Sequence, residues 1–284
     1  MPEKRKKQRT HGRGLDLLVY IFLALYTLFT LVPIYWVFTT SVKSSEEVVQ
    51  FPPSLLPKMV SFDHYHFVFT KTKLGRGILN SLIVSGLTTL IALIVASLAG
   101  YAFSRFRFRG KQLLIGSVLG LYLIPPLINV IPLFLLFNKL GLLNTYWGLV
   151  LAYQALVLPL VTFLLRNYFD GIPIEIEEAA LIDGCTRLGV LWRVTLPLAL
   201  PGISTAAIFS FILSWNEFVL ALNFLFKDDL KTVQLVIMEF VKLHRIDWGA
   251  LTAAMVVGMI PVLLFLVIAQ RYLIAGLLGG ATKY

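Results

Sequence analysis

The feature that most constrains this chain is a run from Leu17 to Thr39 that contains no charged residue. A helix that crosses a bilayer needs about 20 mostly apolar residues, because its backbone must satisfy its own hydrogen bonds in hydrocarbon. A buried helix of a soluble protein could explain one such run, but comparable runs recur along the chain. The sequence therefore predicts six spans, at residues 17–39, 78–103, 113–137, 147–165, 203–226 and 251–269.

The composition agrees with a membrane protein. Of the 284 residues, 58% are hydrophobic and 14% are charged, whereas soluble domains carry about a quarter charged residues. The first run is longer than the apolar region of a cleaved signal peptide, and no small-x-small cleavage site follows it. The predicted fold class is an all-α integral membrane protein, with a six-helix transmembrane domain at 17–269 and an uncleaved first span.

The basic residues predict the orientation of the chain. The net charge is +10, and six cations crowd the N-terminal segment 1–16. Such an arm can bind nucleic acid, but directly before an apolar run it holds that end in the cytoplasm, so no nucleic-acid partner is expected. Residues 105–111 add four cations after the second span, while the link after the third span has one, Lys139. Positive-inside counting therefore places both termini, including the tail 270–284, in the cytoplasm.

The link between the fourth and fifth spans is predicted to be cytoplasmic, although it carries five acidic residues. Its part from 171 to 202, called the elbow below, has the local signals of two helices joined by a turn. Pro173 suits a first helical turn, Gly184 suits a left-handed helix end, and Thr186 can cap a second short helix. Lipid headgroups repel acids, so a protein partner with a basic groove explains these residues better than a membrane surface does.

Five motifs follow one another along the elbow: Pro173, Glu178-Ala179-Ala180, Asp183-Gly184, Leu196-Pro197 and Pro201-Gly202. This ordered set resembles the EAA loop of binding-protein-dependent ABC importer permeases, with Cys185 where the family usually has alanine. Further segments are similar to the maltose/multi-sugar subgroup, specifically the shorter of its two permeases. They are Phe51-Pro52-Pro53-Ser54-Leu55, Asn80-Ser81-Leu82, Ile124-Pro125-Pro126 and Ser214-Trp215-Asn216-Glu217-Phe218.

The resemblance implies a type I ABC importer permease fold and a transport subunit of the cell (inner) membrane that is not itself an enzyme. Such a subunit forms half of a pathway with a second homologous permease. Two ATP-binding subunits drive it, and an extracytoplasmic sugar-binding protein delivers the solute. The chain has no G-x-x-x-x-G-K-[ST] phosphate loop, so ATP binding is assigned to the partners. The residues expected to couple the elbow to the ATPase are Glu175, Glu178, Ala179, Ala180, Asp183, Gly184 and Arg187.

Polar and aromatic residues inside the spans are the candidates for the sugar pathway: Asn129, Tyr153, Gln154, Trp215, Asn216 and Glu217. Structural alternatives stay open for them. Gln154 can bond between helices, the aromatic residues can simply pack, and Glu217 can lie near the outer interface or bond a neighbouring span. No catalytic residue, cofactor or metal site is predicted, since His64 and His66 are expected in a loop without a partner pair.

Two other functions remain open at this stage. One is an ABC permease for a non-sugar solute. The other is an ion-coupled secondary transporter, which predicts buried ionisable groups in several spans and often two related halves. Glu217 is the clear ionisable candidate inside a span, and the halves of the chain do not match. On the outer side, the link 227–249 predicts a short helix that lies on or dips into the outer mouth.

Overall fold

A computed structural model describes residues 13–242 and 245–281. Within these ranges the regular secondary structure is helical apart from two antiparallel strands of two residues each, β1 (Val241–Lys242) and β2 (Arg245–Ile246). A π-helical turn covers Leu191–Thr195 and a 3-10 turn covers Asp228–Leu230. In chain order the α-helices are α1 (Arg13–Ser41), α2 (Ser45–Val48), α3 (Asp63–Thr70), α4 (Leu74–Arg105), α5 (Lys111–Leu123), α6 (Pro126–Lys139), α7 (Tyr146–Asp170), α8 (Ile174–Ile182), α9 (Arg187–Val190), α10 (Leu196–Leu198), α11 (Leu200–Trp215), α12 (Val219–Phe224), α13 (Val233–Met238) and α14 (Trp248–Ala281).

The described residues contain four helices that are long and apolar enough to cross a membrane, namely α1, α4, α7 and α14. Two bent pairs add the remaining candidate crossings. Helices α5 and α6 meet at 104°, and the helical run Arg187–Leu198 meets α11 at 81°. Counting each bent pair as one crossing gives six, which agrees with the predicted all-α membrane fold.

The bend in the third span follows from its prolines. Ile124 and Pro125 both have extended backbone conformations, with ψ angles of 121° and 131°. A residue before proline is pushed away from the helical region, and proline has no amide hydrogen to donate. Helix α5 therefore stops at Leu123, and α6 restarts at Pro126 in a new direction.

The fifth span differs from the predicted continuous segment 203–226. Helix α11 ends at Trp215, and α12 begins only at Val219. The Glu217 carboxylate accepts hydrogen bonds from the amides of Leu220 (2.8 Å) and Ala221 (3.1 Å). A carboxylate that caps these amides starts a separate helix, and hydropathy alone does not reveal such a restart.

The packing of α4 against α7 depends on small side chains. Ala92, Ala96 and Gly100 recur every four residues on α4 and are all buried. A Cβ atom on Gly100 would lie 3.1 Å from the backbone nitrogen of Arg166 on α7. Small residues at this spacing let two helix backbones approach closely, which is how helices associate in lipid.

The return segment between α12 and α14 is held by the Asn80-Ser81 motif in the N-terminal part of α4. The Asn80 amide donates to the carbonyls of Asp229 (2.9 Å) and Lys231 (2.8 Å), and the Ser81 hydroxyl accepts from the amide of Val233 (2.8 Å). Helix α13 begins at Val233 and packs on α4 and α14 with most of its residues buried. A short helix is therefore present in the link 227–249, as predicted.

The link between α1 and α4 is folded. Glu47 is buried and accepts hydrogen bonds from the Ser54 hydroxyl (2.6 Å) and the Lys58 amide (3.0 Å). The Ser54 hydroxyl, followed by the Lys58 amide and the charges of Lys43 and Lys58, holds the pKa of Glu47 below its usual value, against the opposing effect of desolvation.

The predicted loop position of His64 and His66 is wrong, because both lie on α3. This helix begins where the Ser61 hydroxyl accepts a hydrogen bond from the Asp63 amide (3.1 Å). His64 is buried, and its ring lies so close to Gly249 that a Cβ atom there would clash. Within the described residues, no group of three His, Cys, Asp or Glu side chains could hold a metal ion.

The close contact of α4 and α7 predicts a specific effect of added volume. We expect Gly100→Leu to destabilise the fold by about 1–3 kcal/mol, because a side chain there must push the two backbones apart. Gly86→Leu is the matched control, since nothing lies within 4 Å of a Cβ at this exposed α4 position. Thermal unfolding of both purified variants in detergent measures the difference. Equal melting temperatures would contradict the packing described.

Candidate functional site

The elbow turns at a glycine in the left-handed conformation that the sequence predicts. Gly184 has a φ of +88°, which side chains adopt only with strain. Its amide donates to the Leu181 carbonyl (3.1 Å), and the Cys185 amide donates to Ala180 (3.0 Å). These two bonds form a Schellman motif, which satisfies the last carbonyls of α8 and reverses the chain.

The second half of the elbow is also set by local contacts. The Thr186 hydroxyl accepts from the Gly189 amide (3.1 Å) and caps α9, as the sequence predicts. The π-helical turn and α10 follow, and the chain bends into α11. Near the start of α11, a Cβ on Gly202 would lie 2.3 Å from the Tyr168 ring, so this glycine allows α11 to begin against α7.

One side of the elbow is open to solvent. Ile182 is 87% exposed, which is unusual for a large apolar side chain on a surface otherwise rich in acids. The guanidinium of Arg187 lies over the Phe106 ring at 5.7 Å. Ala180 is half-buried, and the other predicted coupling residues are exposed: Glu175, Glu178, Ala179, Asp183, Gly184 and Arg187.

The opposite side of α8 carries a buried charge. The Glu177 side chain is 2% exposed and forms an ion pair with Arg105 at the end of α4, with 3.0 Å between Oε1 and Nη2. The hydroxyls of Tyr101 (3.1 Å) and Thr195 (2.9 Å) also donate to this carboxylate. Glu177 thus connects α8 to α4 and to the π-helical turn.

A cleft opens between the bent third span and helices α4, α7 and α11. It consists of two adjoining cavities of about 590 and 560 Å³, which share Leu121, Asn129 and Ala155. Four predicted pathway residues line it: Asn129, Gln154, Asn216 and Glu217.

The two aromatic candidates lie in the hydrophobic core instead. Tyr153 is 1% exposed, and its hydroxyl donates to the Glu217 carbonyl at 3.4 Å. Trp215 is 2% exposed, and its ring stacks on Phe211 with 5.7 Å between centroids. Neither residue lines the cleft in this conformation.

The polar groups of the cleft differ in how they are bonded. The Gln154 amide nitrogen donates to the carbonyls of Thr88 (3.2 Å) and Val150 (3.3 Å), so Gln154 does bond between helices. Its Oε1 atom is buried and has no hydrogen-bond partner among the described residues. Asn216 is exposed and donates to the Ile212 carbonyl (3.0 Å). The carboxylate of Glu217 is already engaged by α12.

Comparison with known proteins gives the family of this arrangement. Residues 90–278, more than half of the chain, match the family model described as binding-protein-dependent transport system inner membrane component. The chain belongs to this family. It is therefore a multi-pass permease of the inner membrane, and the prediction of a transport subunit rather than an enzyme is confirmed.

Two relatives of this permease have names that include a sugar. It is 36% identical to the trehalose transport system permease protein SugB of Mycobacterium tuberculosis, over 90% of this chain and 93% of SugB. It is 40% identical to the trehalose/maltose transport system permease protein MalG of Thermococcus litoralis, over 72% of this chain and 74% of MalG.

A solved structure has the same fold. A chain of a bacterial ABC transporter involved in the import of the acidic polysaccharide alginate matches with a TM-score of 0.81 and 25% identity. The match covers 96% of this permease and 99% of that chain. The predicted type I ABC importer permease fold is confirmed.

Sequence reasoning did not single out the Glu177–Arg105 pair. In the sequence, Glu177 is one of five acids in the link after the fourth span, and Arg105 is one of the four cations that predict orientation. One signal was available: Glu177 lies off the stripe formed by Glu175, Glu178 and Ile182 at helical spacing. A charged residue beside such a stripe faces another direction, and here that direction is the protein interior.

The capping role of Glu217 predicts how the permease responds to its loss. Glu217→Ala should destabilise the fold by about 1–3 kcal/mol, because the amides of Leu220 and Ala221 lose their buried acceptor. Glu217→Gln keeps one acceptor oxygen and should fall between the parent and the alanine variant. Thermal unfolding of the three proteins in detergent tests this order. An alanine variant as stable as the parent would mean that the cap does not hold α12.

Proposed function

We propose that this permease is a subunit of an ATP-driven carbohydrate importer, in which it forms half of the translocation pathway. The observation that carries the proposal is the two-sided elbow, exposed and acidic on one side and anchored by a buried ion pair on the other. A surface that is rigidly held and yet offers an exposed isoleucine is suited to receive a moving partner.

The exposed side of the elbow has the composition of a docking surface. Ile182 would be buried by a partner, and apolar side chains buried at the centre of an interface contribute most of its affinity. Glu178 and Asp183 are exposed beside it. These charges favour a basic groove on the partner, and an ATP-binding subunit is the partner that this family requires. Two such subunits would serve the two permeases of one importer.

The second permease and the binding protein are proposed from other features. The residues of α1 from Asp16 to Trp36 are all exposed within this chain, so this part of its surface is free for lipid or for a homologous permease. The extracytoplasmic sugar-binding protein is proposed from the family description and from the sugars in the names of the relatives.

The proposed topology has six crossings with both termini in the cytoplasm. It rests on the basic segments 1–16 and 105–111 and on the positive-inside rule. The segment 1–12 and residues 282–284 lie outside the described residues. The elbow then faces the cytoplasm, where an ATPase would be found.

A carbohydrate is the solute that the cleft fits best. Its polar groups include the neutral amides Asn129, Gln154 and Asn216, which suit the hydroxyls of a sugar. The carboxylate of Glu217 caps a helix and is not free to carry a coupling ion. The main ionisable group that an ion-coupled mechanism could use is therefore occupied. The family to which the chain belongs also argues against such a mechanism.

We expect Glu178→Lys to weaken ATPase docking by about 2 kcal/mol or more, roughly 30-fold in affinity, because it places a cation against a basic groove. The variant should still reach the membrane, since Glu178 is exposed. Co-purification of the ATP-binding subunits from native membranes measures the loss. Glu46→Lys makes the same charge change at an exposed position on the outer link and should have no effect.

Recovery of the parent permease without an ATPase, together with uptake that survives ATP depletion, would overturn the proposed function. Normal docking of the Glu178 variant would remove only the role assigned to that residue.

For the pathway, Asn216→Leu should lower the uptake efficiency for trehalose or maltose about fivefold, the effect of about one lost hydrogen bond. ATPase binding should remain. Asn223→Leu is the matched control, because Asn223 donates to the Val219 carbonyl (2.7 Å) in the same way but does not line the cleft. Equal uptake by both variants would exclude Asn216 from the pathway.

A further inference from the structure

Within the elbow, helix α8 makes few polar contacts with the transmembrane helices. Helix α8 packs on α9 and on the π-helical turn. In the part of the chain that the structure describes, every hydrogen bond or ion pair between α8 and α4 involves Glu177. One carboxylate therefore makes the polar connection between α8, which carries the exposed acids, and the membrane-spanning helix α4.

The pair is reinforced on the side of the arginine. Arg105 Nη2 also donates to the Ile172 carbonyl (2.9 Å), in the link that leads from α7 into α8. Its Nη1 donates to the Ser104 hydroxyl (2.9 Å). Since Thr195 lies beyond the turn of the elbow, the pair holds both the entry and the exit of the elbow against the end of α4.

Helix α4 continues from this pair to the wall of the cleft. Val95, Ala99 and Phe103 line the cavity of about 560 Å³. Phe103 lies two residues before Arg105 on the same helix. The small residues Ala92, Ala96 and Gly100 also let α4 pack closely on α7. A displacement of the elbow that α4 follows would therefore change the shape of the cleft.

Stability alone does not account for this arrangement. A buried ion pair is often no more stabilising than apolar residues of the same volume, whereas loss of one partner leaves a costly unpaired charge. A pair of this kind makes two elements keep a single relative position. That property is what a mechanical connection between an ATPase and a pathway needs.

We propose that Glu177 and Arg105 are positioning residues that make the elbow and α4 move as one body during transport. The proposal rests on the proposed function, in which the ATPase docks on the exposed side of the elbow. Glu178 would then receive the movement, and its neighbour Glu177 would pass it on to the wall of the cleft.

The test measures the distance between the elbow and α4 in the complete complex. Spin labels are placed on cysteines at Leu188 (61% exposed, on α9) and Leu98 (44% exposed, on α4), with Cys185→Ser to remove the native thiol. The parent should give one narrow distance, both without nucleotide and with ATP and vanadate. In Glu177→Gln the single distance should be lost, with a distribution that broadens and shifts when ATP is added.

A transport measurement accompanies the distances. In proteoliposomes, the trehalose or maltose carried per ATP hydrolysed by Glu177→Gln should fall about fivefold, the lower end of coupling between sites. The control is Glu46→Gln, which makes the same substitution at an exposed carboxylate outside the elbow and α4. It should keep the distance and the transport ratio of the parent.

A double variant separates positioning from stability. Arg105→Met with Glu177→Leu removes both charges at similar volume, so the melting temperature should return towards that of the parent. The elbow distance should still be broad and the transport ratio low. If both Glu177 variants keep the single distance and the transport ratio of the parent, the proposal is wrong. A parent that purifies without ATP-binding subunits would overturn the proposed function first, and the proposal with it.

Discussion

The need of every backbone amide and carbonyl for a hydrogen-bond partner in hydrocarbon controls this fold. Helices α1, α4, α7 and α14 meet it within themselves, except at Pro33, Pro159 and Pro261, the internal prolines of α1, α7 and α14. The third and fifth spans do not, because each breaks part-way. Ile124 at the first break and Asn216, Glu217 and Phe218 at the second line the same cavity. Irregular backbone is tolerated at membrane depth where it faces protein or a polar cavity, so the breaks and the cleft are two aspects of one arrangement.

Side-chain amides satisfy backbone groups in the same way where α12 ends and the return segment begins. Asn80 donates to two carbonyls of the return segment, and the Tyr146 hydroxyl donates to its Oδ1 (2.7 Å). Asn144, which has a positive φ of 56°, accepts from the amides of Phe226 (2.6 Å) and Lys227 (3.0 Å). Short polar side chains thus close the backbone where the helices end, and they hold the segment that joins α12 to α13.

Sequence reasoning succeeded where one segment contains all the information. Uncharged runs predict the crossings, and Gly184 and Thr186 predict the two helices of the elbow, because the left-handed turn and the cap are local. It failed where a partner is distant in the chain. Tyr101 and Glu177 are 76 residues apart, and no periodicity links them. Glu217 shows a third case, since hydropathy predicts it within a span although it lies in a break and its carboxylate starts α12.

The elbow shows why two adjacent glutamates have different roles. Successive residues on a helix point about 100° apart, so Glu177 and Glu178 cannot both face the same surroundings. The Schellman turn at Gly184 gives the elbow its shape from local bonds alone, but a local turn does not determine how the elbow is oriented on the membrane domain. That orientation requires a long-range contact on the face of α8 that packs against the membrane domain. Glu177 makes this contact. The opposite face is therefore left exposed, and Glu178 on it is available to a partner.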